Sequence, residues 1–103
     1  MNVSYDTEYR LLDAREMEIV KRLNEVIEEH FDDSVTVEYT TYPKGTFPLQ
    51  CMVKIGDYYL RYNVYRSGEI RNSGYSCSNE MLELSKKYII IDSELWINTH
   101  LLK

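Results

Sequence analysis

Gly74-Tyr75-Ser76-Cys77-Ser78 comes nearest to a catalytic motif in this chain. It has the outline of a sharp turn that presents a nucleophilic serine or cysteine ahead of a helix. Such a turn needs a second glycine and a parallel sheet beneath it. Ser78 stands where that glycine belongs, and the strands nearby read as antiparallel. A plainer role is expected: serines at a helix entry accept hydrogen bonds from the first, otherwise unsatisfied backbone N–H groups. Cys77 beside His30 or His100 would make a thiolate–imidazole pair, yet nothing in their spacing brings them together.

Glu28, Glu29, His30, Asp32 and Asp33 form a dense run of oxygen and nitrogen donors. Calcium loops alternate their ligands, whereas these acids sit side by side, and no second histidine lies one helical turn away. The run reads as the solvated end of a helix. The four glycines stand apart, each at a turn, so no phosphate cradle is expected. Acid–base catalysis needs one carboxyl in an apolar setting to separate the two pKa values. The acids of the first helix lie instead among other charges. The residues therefore point away from an enzyme, and no metal or cofactor is expected.

The remaining chemistry is that of surfaces. Ten of the 103 residues are tyrosine, against three Phe and Trp together, and seven of the ten fall between Tyr39 and Tyr75. The net charge of −5 is uneven: residues 1–38 hold 11 acids and 4 bases, whereas residues 39–76 hold 2 acids and 5 bases. An acidic whole disfavours nucleic acid, although the middle third does not. The length suits a single domain over 1–103. The longest aliphatic run, Ile89-Ile90-Ile91, is far short of the roughly 20 residues that span a bilayer, so no membrane partner is expected. The first residues lack a basic start and apolar core, so a cytoplasmic location is expected, with Cys51 and Cys77 kept as thiols.

These side chains need elements to hold them. Asp13 and Glu16 have capping-box spacing at the start of a helix over about Ala14 to Phe31. Met17, Val20, Leu23, Ile27 and Phe31 fall on its predicted core face. Alternation then predicts strands at Val35–Thr40, Leu49–Ile55 and Tyr58–Arg66, with Gly56-Asp57 and Ser67-Gly68 as turns. Tyr42 to Pro48 reads as a loop. A short return strand covers Glu69–Asn72 and ends at Asn72-Ser73-Gly74. A second helix starts at Ser78 and runs to about Tyr88. Tyr88–Ile91 reads as a strand, and Asp92–Lys103 as an ambiguous element leaning to helix.

The expected class is α+β: an N-terminal amphipathic helix, an antiparallel meander of three to four strands, a second helix, a short strand and a C-terminal element. One sheet face would carry Tyr42, Met52, Lys54, Tyr59, Arg61, Tyr65 and Arg71. Tyr, Arg and Met are enriched at protein interfaces, where Tyr and Arg act as anchors. The expected function is a non-catalytic protein-binding module, an adaptor, inhibitor or regulatory subunit, bound to another protein or to its own copy. Two alternatives compete with it. The same face would bind single-stranded nucleic acid if Lys54, Arg61, Arg66 and Arg71 track phosphates. A small enzyme would place its site near the Cys77 loop.

Overall fold

A computed structural model describes residues 1–42 and 49–101. The expected loop at 43–48 and the end of the terminal element lie outside the described residues. The fold is α+β, with a five-stranded mixed sheet in sequential order: β1 (Asn2–Asp6), β2 (Thr36–Thr40), β3 (Leu49–Ile55), β4 (Tyr58–Val64) and β5 (Ile70–Ser76). β2 to β5 are antiparallel neighbours. β1 pairs parallel with β2, Asn2 facing Thr36 and Asp6 facing Thr40.

The chain thus opens on a strand rather than a helix. Asn2-Val3-Ser4-Tyr5 alternates polar and apolar residues, but a run this short carries a weak signal. Its partner lies beyond the whole first helix, so no local turn announces the pairing. The remaining meander follows the sequence more closely. Gly56 adopts φ 59° at the β3–β4 turn and Gly68 φ 87° at the next, backbone values that L side chains adopt only at a cost. β5 runs past its expected end. A bulge between Arg61/Tyr62 and β5 sets Arg61 opposite Gly74 and Tyr62 opposite Asn72, and the strand continues to Ser76.

Helix α1 spans Ala14–His30 behind a complete capping box: Asp13 accepts from the Glu16 N–H, and Glu16 accepts from the Asp13 N–H. Its buried residues are Glu16, Ile19, Val20, Leu23, Val26 and Ile27. Met17 does not join them and is 60% exposed. It occupies the fourth helical position, and Leu12 the position before the cap, which is the spacing of a hydrophobic staple.

Helix α2 (Asn79–Ser85) starts at Ser78, whose hydroxyl accepts from the Met81 N–H as expected. It buries Leu82 and Ser85. The chain then stays helical. Lys86–Asp92 is a π-helical segment, and helix α3 (Ser93–His100) follows without a break. The expected strand at Tyr88–Ile91 is therefore absent. The β-branched triplet Ile89-Ile90-Ile91 favours a strand locally, but burying Ile89 and Ile97 against the core outweighs that preference. The wider π turn lets the Ser93 hydroxyl donate to the Tyr88 carbonyl at 3.2 Å.

One cluster forms the core. Val35, just ahead of β2, and Val37, Tyr39, Cys51, Val53, Leu60 and Tyr62 from the sheet meet Leu23, Ile27, Leu82, Ile89 and Ile97 from the helical segments. Arg22 ties α1 to the π-helical segment through Asp92 at 2.6 Å, and the His30 ring stacks on Tyr88. Among the described residues the helices all pack on this one sheet face, so the opposite face stays open. No helix of the described residues is long and apolar enough to cross a membrane.

Candidate functional site

The open face is ordered by register. In one row Glu38, Met52, Arg61 and Gly74 lie abreast, and in the next Thr36, Lys54, Tyr59 and Ser76. Arg61 is therefore central. Gly74 beside it has no side chain, and nothing lies within 4 Å of where a Cβ would stand. The bulge at Ser73 widens this gap. Tyr42, Gln50, Arg61, Asn63 and Ser73 line the resulting shallow pocket of about 170 Å³.

The structure brings together all seven residues marked in the sequence on this face or its rim. The Arg61 guanidinium lies 5.6 Å over the Tyr59 ring, and Arg71 lies 5.2 Å over Tyr65. Lys54 pairs with Glu38 at 2.7 Å, and Arg71 with Glu69 at 2.8 Å. The Tyr42 hydroxyl donates to Gln50 Oε1 at 3.4 Å, and its ring stacks on Tyr9. Met52 is half-buried between Glu38 and Arg61. Arg61 differs from the other two cations. Among the described residues it has no carboxylate partner, and its Nε is buried without a hydrogen bond.

Neither histidine belongs to a nucleophilic pair. His30 stacks on Tyr88, and His100 stacks on Trp96 while contacting the Trp96 carbonyl. Burial pushes the Cys77 thiol up, and pushes the fully buried Cys51 thiol up to about 12, which weakens both as nucleophiles. Both are free cysteines. Asp32 accepts from the Ser34 N–H, which lowers its pKa and makes it part of a turn. Among the described residues no group of three or more His, Cys, Asp or Glu side chains is placed to hold a metal.

The chain matches no family model, no curated protein and no solved structure. Its surfaces must be read from their own chemistry.

A second surface involves α1 and lies outside the residues marked on the sheet face. Tyr5, Thr7, Leu11, Leu12, Met17 and Val20 line a groove of about 630 Å³ between β1 and α1. Lys21, Asn24, Glu25 and Glu28 form its helical wall. Two signals mark it in the chain: the alternation of Val3 and Tyr5, and the Leu11-Leu12 pair just ahead of the helix cap. Arg10 fixes the segment that carries Leu11 and Leu12. Its guanidinium forks onto the Glu16 carboxylate, 2.8 Å at one of the two contacts, and its Nε donates to the Tyr42 carbonyl at 2.7 Å.

Proposed function

We propose that the protein is a non-catalytic binding module that engages a protein partner through the open sheet face, with Arg61 as the anchor. The observation that carries this reading is the Arg61 guanidinium. It lies 5.6 Å over the Tyr59 ring, beside a pocket of hydrogen-bonding side chains, with no carboxylate partner among the described residues. A planar guanidinium fixed this way suits a carboxylate or a backbone carbonyl supplied from outside. Tyrosine and methionine around it offer rigid and adaptable contact area.

Single-stranded nucleic acid is the weaker reading of the same face. Of the four cations that would track phosphates, Lys54, Arg66 and Arg71 are each paired with a carboxylate, on Glu38, Asp13 and Glu69. Phosphate binding would have to displace those partners. An enzymatic role near Cys77 has even less behind it, because burial raises that thiol's pKa.

The test is co-purification from lysate, comparing wild type with Tyr59→Ala/Arg61→Glu, with and without nuclease. A protein captured only by wild type and indifferent to nuclease is the expected result. Capture that depends on nucleic acid would favour the weaker reading. Equal capture by both proteins would move the site off this face.

A further inference from the structure

The groove between β1 and α1 combines three features. Its floor is apolar and open: Leu11 is 78% exposed, Met17 60% and Tyr5 50%. They belong to the small set of large hydrophobic side chains left exposed by the fold, and they meet at one place. Its volume of about 630 Å³ falls within the roughly 300–1,000 Å³ of ligand sites.

The second feature is the strand that borders it. Among the described residues β1 pairs only with β2. The ladder runs from the Asn2 N–H on the Val35 carbonyl to the Thr41 N–H on the Asp6 carbonyl. Backbone groups alternate sides along a strand, so those of Val3 and Tyr5 face the free edge. Natural edges are blunted by bulges and charges. β5, the other edge, has its bulge at Ser73 and the Glu69–Arg71 pair. β1 has no bulge, and Asp6 is its only charge.

The third feature is charge. The helical wall presents Glu25 and Glu28 against one base, Lys21. Among the described residues Glu28 has no cationic partner, and Glu25 reaches Arg22 only at 3.9 Å. A second copy paired through the same surface would bring like charges together.

We propose that this groove and edge bind an extended segment of a partner protein, added as a sixth strand on β1, whose groove-facing positions, every second residue, carry both apolar and basic side chains. Apolar side chains of the segment enter the groove against Tyr5, Leu11 and Met17. Its lysines or arginines reach Glu25 and Glu28. Its backbone takes up the free N–H and C=O groups of Val3 and Tyr5. The surface lies apart from Arg61, so it does not depend on the sheet-face reading.

The probe is a fluorescein-labelled eight-residue peptide, Thr-Val-Thr-Lys-Thr-Val-Thr-Lys, whose valines and lysines share one strand face, titrated by anisotropy against the full chain. Three controls accompany it: the same peptide with glutamate in place of lysine, a fully backbone N-methylated lysine–valine peptide, and the Glu25→Lys/Glu28→Lys variant. The expected result is saturable binding of the lysine–valine peptide and slowed amide exchange at Val3 and Tyr5. The double variant, whose changes are on exposed side chains, weakens binding by at least about tenfold. Lys21→Glu strengthens it. Tyr59→Ala/Arg61→Glu leaves it unchanged, so this proposal and the sheet-face reading fail separately. The proposal is overturned by no binding, or by equal binding of either control peptide. Insensitivity to the double variant, or exchange at Val3 and Tyr5 that does not slow, overturns it as well. A free protein that elutes as a dimer, and as a monomer after Leu11→Ser, would make the occupant a second copy and also overturn it.

Discussion

Two buried tyrosines of the same sheet face make different use of their hydroxyls. Tyr39 donates to Asn24 Oδ1 at 2.6 Å, whereas the Tyr62 hydroxyl is buried beside Ser85 and Asn72 and meets them only outside ordinary hydrogen-bond geometry. A satisfied hydrogen bond contributes about 1 kcal/mol, and a buried unsatisfied group costs about 1–3 kcal/mol. Tyr39→Phe should therefore destabilise the protein by about 1 kcal/mol, and Tyr62→Phe should cost less than that. Urea melts of the two variants beside wild type check the difference, and an equal loss at Tyr62 would mean that its hydroxyl is bonded as well as that of Tyr39. Glu16 is the other residue whose setting decides its chemistry. Burial would raise its carboxyl, but the hydrogen bonds from Arg10 and the Asp13 N–H outweigh that and leave it below the ordinary 4.5. Its folded pKa lies below its unfolded one, so the stabilisation is present above about pH 4.5 and lost as pH falls through the folded value. Asp13, lowered by the Glu16 N–H and Arg66 against its own burial, acts in the same direction. Glu16→Gln should cost about 1.5–3 kcal/mol at neutral pH and flatten the fall in stability as pH drops below about 4.5. Melts across that range read both effects.

At the scale of elements, helix α1 tests how far hydrophobic periodicity can be trusted. Leu23 is fully buried, and Leu23→Ala should cost about 2–5 kcal/mol. Met17 satisfies the same periodicity but lies outside the core, so Met17→Ala should cost under about 1 kcal/mol. Comparable losses in thermal melts of the two variants would mean that the groove beside Met17 is closed in solution. The contrast shows what the sequence made legible. α1, its capping box and the β3–β4 hairpin rest on contacts within a few residues, and their patterns are visible locally. So is the division of Tyr58 to Tyr65 into two faces, because a strand has a period of two. β1 and the π-helical segment were hidden for different reasons. β1 pairs with a strand it never meets through a turn. Lys86–Asp92 holds β-branched residues in a helix because the core takes Ile89, and no local preference records that demand. The open sheet face was legible residue by residue, whereas the groove was not, since it exists only once β1 has been placed beside α1.

At the scale of the whole molecule, the layers separate two kinds of surface. The helices cover one face of the sheet, and six of the 11 acids of residues 1–38 lie on β1 and α1. The open face carries Tyr59, Tyr65 and Arg61, whose guanidinium has no carboxylate partner among the described residues. The proposed anchor and the proposed groove lie on different sides of the fold, so the two proposals together predict partners that bind without competing. The mixed sheet has a consequence in time as well. β2 to β5 are neighbours in sequence, and turns of a few residues join β3 to β4 and β4 to β5. β1 must close a loop of about thirty residues before its parallel pairing gains anything, and loop closure is an entropic toll on the rate. β1 should therefore join after the folding barrier has been crossed. Val3→Ala should leave the refolding rate close to wild type and accelerate unfolding, whereas Val53→Ala in β3 should slow refolding. Stopped-flow chevrons of the two variants separate these limbs. If they agree, the strand that precedes its partner by a whole helix is among the last parts of the protein to find its place.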